Sequence, residues 1–240
     1  RTTAVLENDE WVINGQKIWT TLGNDANWLY LLARTDKEAK KQEGISFFLL
    51  PADTPGVTIR PIMTMSMTDE FCEMFLDNVR IPKDAVVGGL NQGWTIAKRL
   101  LGFERIFLGS PAQSSFAIQR MAELGDRLKL WNDQSFADRY AALKMAVDDH
   151  ASFYRVYVER LRNGEKLGDE VSMLKINQTE LYKRIALESL ELAGEYSALI
   201  EAAEIGQNPS LNWINTLPST IYGGTSEIQR NIVAKRVLGL

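Results

Sequence analysis

The sequence predicts an α+β protein: a small antiparallel β barrel or sandwich over residues 1–87, then an all-α, four-helix-type bundle over residues 88–240. Three observations predict it. Up to about Val86, short apolar runs alternate with turn residues. After Gly88-Gly89 the apolar spacing lengthens to that of helices and keeps that period to Leu240. The chain has 240 residues, 45% hydrophobic and 24% charged, enough for one large domain or two modest ones.

In the first part, Trp11-Val12-Ile13, Trp28-Leu29-Tyr30-Leu31-Leu32 and Ile45-Ser46-Phe47-Phe48-Leu49-Leu50 read as strands. Asn14-Gly15, lying between Trp11-Val12-Ile13 and Gln16-Lys17-Ile18-Trp19, predicts a two-residue type I′ hairpin, because both central residues of that turn need positive φ. Further breaks fall at Lys37 to Gly44, Pro51 to Gly56 and Pro82-Lys83-Asp84, giving five or six strands. In the second part Trp94, Ala97, Leu100, Leu101, Phe107 and Leu108 mark one helical stripe. Further helices are predicted over Gln134 to Arg162, Asp169 to about Ile205, Leu211 to Leu217 and Ser226 to Val237, with Gly164 to Gly168 as the turn between the two longest.

Composition narrows the function classes. With 27 Lys+Arg against 31 Asp+Glu and a net charge of −4, the mixed signs form no basic stripe for a nucleic acid or for a polybasic membrane anchor. No apolar run approaches the roughly 18–20 residues of a membrane span, and the opening residues carry no signal-peptide pattern. One cysteine, Cys72, makes no internal disulfide and fits a reducing compartment, so a cytoplasmic protein is expected. The opening Arg1-Thr2-Thr3-Ala4-Val5 enters strand-like sequence without an initiator methionine and reads as a cut end.

Several residues carry chemistry. Glu104 has Leu100, Leu101, Phe107 and Leu108 as its helical neighbours, an apolar face on which a carboxylate is either ion-paired, turned to solvent, or desolvated into a stronger base. Arg105 points roughly 100° away from it around the helix. Trp19 and Thr21 put an aromatic plane and a hydroxyl on one strand face, a pair suited either to a core or to a flat ring system. Tyr222-Gly223-Gly224-Thr225-Ser226-Glu227 is a glycine turn with a Thr/Ser cap, as fit for plain capping as for receiving a phosphate or ribose oxygen. His150, the one histidine, reads as a surface residue beside Asp148-Asp149, and Cys72 as a core thiol, so a His/Cys metal site or a Ser–His triad is not expected. Met63, Met65 and Met67 read either as a ligand-channel lining or as gap fillers.

Taken together, Asn14 to Thr21, Ala26-Asn27-Trp28 through Ala33-Arg34-Thr35, Gly44 to Leu49, Thr54 to Val57, Asp77 to Pro82, Gly88 to Arg105 and Ile221 to Leu240 resemble one family in its own order: the flavin-dependent acyl-CoA dehydrogenases. The resemblance implies part of a middle β domain and a C-terminal bundle through which subunits associate as a homo-oligomer, a dimer or tetramer. It implies FAD as cofactor, an acyl-CoA thioester as substrate, and reoxidation by an electron-transfer flavoprotein. It places the protein in the bacterial cytoplasm, or in the mitochondrial matrix if eukaryotic. Most members carry the catalytic base where this chain has Gly223; a minority, similar to the isovaleryl- and long-chain enzymes, carry it immediately before an arginine of the first bundle helix, which maps onto Glu104-Arg105. By the same matching Trp19 and Thr21 lie against the flavin, Thr225 and Glu227 meet its phosphate and ribose end, and Arg105 and Tyr222 border the substrate. Arg127 opens Arg127-Leu128-Lys129-Leu130-Trp131, where members have an Arg-x-x-Phe-Gly stretch reaching a neighbour's FAD. Glu191-Leu192-Ala193-Gly194-Glu195 departs likewise from their Gln-x-x-Gly-Gly. These departures motivate an alternative, a non-catalytic partner subunit in a heteromeric enzyme.

Overall fold

The computed structural model describes residues 2–198 and 208–240, and for residues 101–105 the helical backbone without the side chains. The chain forms two compact units, Arg1–Leu101 and Gly102–Leu240.

The first unit is one six-stranded sheet: β1 (Thr3–Glu7), β2 (Glu10–Thr21), β3 (Trp28–Arg34), β4 (Ile45–Pro51), β5 (Val57–Ile62) and β6 (Phe71–Pro82), in the spatial order β4-β3-β1-β2-β6-β5. Neighbours are antiparallel except β1 and β3, which meet through one parallel pair, Thr3 with Arg34. The inner face buries Ile13, Leu31, Phe48, Leu50, Met74, Val79 and Ile81, with Trp11 set edge-on to Phe48 at 5.3 Å. Cys72 is fully buried there, as expected of a core thiol.

The expected hairpin at Asn14-Gly15 does not form. Strand β2 runs straight through those residues, and the reversal falls at Asn8-Asp9, whose φ values of 49° and 65° suit a type I′ turn between the paired Glu7 and Glu10. Asn and Asp tolerate the left-handed region, so a glycine is not required. Asn14 instead stabilises a bulge: its Oδ1 accepts the Asn78 backbone N–H at 2.9 Å, and its Nδ2 donates to Asn78 Oδ1 at 3.2 Å. Here β6 carries the extra residue, since Ile13 faces Val79 while Gly15 faces Leu76. A second bulge follows on β2, between the Lys17–Met74 and Thr20–Cys72 pairs.

The second unit is a helical bundle. Helix α1 (Gly93–Leu108) leads into it, and α2 (Ala112–Arg127), α3 (Gln134–Arg162), α4 (Ser172–Ala193), α5 (Pro209–Thr216) and α6 (Ser226–Ile232) follow. The reading of α3 matches its observed limits. Helix α2 escaped the periodicity reading because Ser110 to Ser115 is small and polar and its buried face is only Ser114, Ala117, Ile118, Met121 and Gly125. Helix α4 ends at Gly194, where φ is 51°, instead of continuing towards Ile205, which lies outside the described residues. The core packs Ile118, Met121, Phe136, Leu143, Val147, Leu181 and Ile185. The α1 stripe differs from expectation: Ala97 is buried, but Leu100 is 48% and Phe107 76% exposed.

His150 is not on the surface. It is 1% exposed, its Nε2 donates to the Gly109 carbonyl at 2.9 Å, and its Nδ1 accepts from Asn177 Nδ2 at 3.0 Å. Spacing explains why: Leu143, Val147 and His150 follow one another at intervals of four and three along the buried stripe of α3. Burial pushes the imidazole pKa down, against a smaller upward pull from the Gly109 carbonyl. The unfolded chain therefore takes up this proton at higher pH than the folded one. Stability from this site is full above the ordinary histidine value of about 6.5 and declines as pH falls below it towards the depressed folded value. In His150→Gln, thermal melts between pH 7.5 and 5 are expected to lose that part of the decline; an unchanged pH slope would contradict it.

Candidate functional site

Each unit carries one part of the predicted site. In the first, β1 covers only the early half of β2, from Glu10 to Asn14. Beyond it β2 and β3 are bridged by a side chain: Lys17 Nζ donates to the Leu32 carbonyl at 2.7 Å, and burial lowers the pKa of that amine. A cleft of about 380 Å³ opens here, lined among others by Lys17, Trp19, Thr21, Trp28, Tyr30 and Met74. Trp19 occupies the β2 bulge with φ of 63°, and its side chain touches Phe71 edge-on at 6.0 Å while the residue stays 61% exposed. A bulky residue held left-handed costs on the order of 1–2 kcal/mol. A bulge that spends this to keep an indole in the open is the kind of strain found at binding sites. Thr21, two residues on, is exposed, and its hydroxyl has no hydrogen-bond partner among the described residues. An open aromatic plane beside a free hydroxyl fits a flat heteroaromatic ring.

In the second unit the turn Tyr222–Thr225 enters α6. Gly223 and Gly224 have φ of 63° and 92°, and a Cβ on Gly224 would come within 2.6 Å of Gln229 Nε2. Thr225 caps the helix, its Oγ1 accepting the Ile228 N–H at 3.3 Å. Glu227 is exposed; its own backbone N–H, and then the Thr225 hydroxyl, hold its carboxyl below the usual range. Tyr222 is half-buried, with Lys175 Nζ 6.0 Å from its ring centre. Ser226 Oγ and Gln229 Oε1 are buried without a partner among the described residues, polar capacity left over at this turn. The N–H groups of Gly224 and Thr225, which have no acceptor among the described residues, together with the Thr225 cap, fit the polar end of a nucleotide cofactor.

Glu104 and Arg105 lie on α1, their side chains outside the described residues. Arg127 ends α2 on an exposed position, followed by Lys129 at φ 56°, so the stretch turns sharply before Trp131. Among the described residues no group of His, Cys, Asp and Glu could hold a metal ion, and no helix is long and apolar enough to cross a membrane. Met63, Met65 and Met67 do not fill gaps: they are 66%, 78% and 69% exposed on a turn tied by the hydroxyls of Thr64, Ser66 and Thr68. Lys175 escaped the sequence reading. It is a fully buried lysine whose helical neighbours three and four positions away are Val171, Ser172, Gln178 and Thr179, so the argument that singles out Glu104, a charge among apolar helical neighbours, does not reach it.

A mixed sheet unit followed by a helical bundle, each with a polar-aromatic edge suited to a nucleotide cofactor, defines the class, and comparison with known proteins gives the family. The profile of the acyl-CoA dehydrogenase middle domain matches residues 1–79, and that of the acyl-CoA dehydrogenase C-terminal domain matches residues 91–238. The chain belongs to the acyl-CoA dehydrogenase family. It is 35% identical to acyl-CoA dehydrogenase IpdE1 of Mycobacterium tuberculosis, over 100% of this chain and 62% of that protein. Among solved structures it is similar to an acyl-CoA dehydrogenase from Geobacillus kaustophilus, with a TM-score of 0.84 and 26% identity over 98% of this chain and 63% of that one. The steroid ACAD Tcur3481-Tcur3483 shares the fold, with a TM-score of 0.90 and 24% identity over 100% of this chain and 63% of that one. The chain thus spans about three-fifths of the length of these relatives.

Proposed function

We propose that the protein of which this chain forms the β and helical parts is an FAD-dependent acyl-CoA dehydrogenase, converting an acyl-CoA thioester to its trans-2-enoyl product. The observation that carries this is family membership across both units together with the exposed Trp19 in its left-handed bulge. Glu104 is the catalytic base: it removes the α-proton, and Gly223 leaves no competing carboxylate at the other family position. FAD, when bound, supplies the acceptor for the β-hydrogen, transferred as a hydride. Trp19 and Thr21 would hold its ring, Thr225 and Glu227 its phosphate and ribose portion, Arg127 would reach the FAD of a neighbouring subunit, and Arg105 and Tyr222 would border the thioester.

A carboxylate in water is too weak a base for this proton, so Glu104 must be desolvated when it acts. Phe107, one turn beyond it on α1, stands open in the chain alone. The apolar acyl group, once bound, covers that hydrocarbon and strengthens the base only when there is a proton to remove. An electron-transfer flavoprotein would serve as the electron acceptor, and the protein works as a homo-oligomer, dimer or tetramer, in the bacterial cytoplasm or, in a eukaryote, the mitochondrial matrix. The non-catalytic partner reading draws no support from the comparisons. Anaerobic titration of the full-length protein with a panel of acyl-CoAs tests the proposal. Bleaching of the flavin band by at least one thioester is expected; a protein purified without flavin that takes none up would refute it.

A further inference from the structure

A fully buried ammonium is expensive. Removing it from water costs several kcal/mol even after relaxation, so such a lysine persists only where specific acceptors hold it. Lys175 on α4 is 0% exposed and donates from Nζ to the Gly224 carbonyl at 2.9 Å. The neighbouring carbonyl, that of Gly223, accepts from Gln229 Nε2 at 2.9 Å, and Gln229 on α6 is 2% exposed. Two buried side chains from two helices therefore grip consecutive carbonyls of one turn. Planar trans peptides fix the rest: with both carbonyls drawn into the bundle, the N–H groups of Gly224 and Thr225 face the opposite way. Those two N–H groups have no acceptor among the described residues. The turn has little rigidity of its own, because Gly223 and Gly224 are the least constrained residues a backbone can use.

We propose that Lys175 is a positioning residue, holding from inside the bundle the turn that presents Tyr222 and Thr225 to the cofactor and thioester. The inference rests on the function proposed above and adds to it a residue that touches neither ligand. It explains why a charge is kept where a methionine of equal length would pack at lower cost.

The test compares Lys175→Met with Gln178→Met in the full-length protein. Gln178 is an equally buried polar residue on α4 whose Oε1 accepts from Ser114 at 2.8 Å and which is not bonded to the turn. Two quantities are read: amide exchange of residues 221–232 without added flavin, and the FAD dissociation constant from flavin fluorescence. Loss of a charge-assisted hydrogen bond is expected to raise both about tenfold or more in Lys175→Met. Gln178→Met is expected to change neither beyond what its shift in melting temperature explains. If Lys175→Met does not fold, Lys175→Gln, which stays polar but cannot reach Gly224, takes its place. Unchanged exchange, equal loosening by Gln178→Met, or loosened exchange with unaltered FAD affinity each overturns the proposal. A wild-type protein that binds no FAD, yet loosens at 221–232 on substitution of Lys175, sinks the functional reading and leaves the positioning of the turn standing.

Discussion

Glu104→Gln is expected to lower turnover by about a thousandfold or more while leaving FAD binding intact. General-base catalysis contributes roughly 10²–10⁴-fold, and an amide of the same shape keeps the volume while losing the basicity. The distinguishing measurement is the anaerobic half-reaction: thioester still binds and perturbs the flavin spectrum, but bleaching slows by the same factor as turnover. Glu227→Gln is the comparison: that carboxylate is exposed and held ionised beside the Thr225 cap, so its loss is expected to weaken FAD binding while the flavin-loaded protein still bleaches. Bleaching that survives in Glu104→Gln and disappears in flavin-loaded Glu227→Gln would transfer the base to α6.

The largest effect on folding is expected from Phe136→Ala. Phe136 is 0% exposed, sits edge-on to Trp131 at 4.8 Å and stacks near Tyr140 at 6.1 Å. Gly125 of α2 lies so close to its ring that a Cβ there would overlap it. Truncation leaves a cavity that the two aromatic partners, Trp131 and Tyr140, do not fill, at a cost of about 3–5 kcal/mol. For a unit of this size that lowers the melting midpoint by roughly 6–20 °C. A shift of only a degree or two would mean that Trp131, already 41% exposed, swings inward to fill the space.

The division between strands and helices was legible because the two periods differ, and the limits of α3 were legible because Asp133 caps its start and Asn163-Gly164 ends it. Legibility failed where a residue's partner lies far along the chain. Asn14-Gly15 looks like a turn in isolation, yet Asn78, sixty-four residues on, makes it a bulge. His150 looks solvated beside two aspartates, yet Asn177 and Gly109 take both its nitrogens. At the candidate site, Trp19 and Thr21 were visible as a pair on one face, but the left-handed φ of Trp19 was not, because local propensity argues against it. Lys175 was overlooked because its acceptor, the Gly224 carbonyl, is a backbone atom that no side-chain pattern announces.

The two irregularities along β2 and β6 have opposite senses. One adds a residue to β6 and the next adds one to β2, so Thr20 faces Cys72 as Ile13 faces Val79, seven positions along on both strands. Between them Gly15 and Lys17 run one step out of phase with the flanking sheet. Losing the extra residue at either place would restore the regular ladder there and leave Gly15 opposite Leu76 and Thr20 opposite Cys72, since the bulge already keeps the same face inward on both sides of it. The pairing of β2 with β6 therefore survives a one-residue loss at either bulge. What such a loss in β2 takes away is the left-handed position that keeps the Trp19 indole in the open.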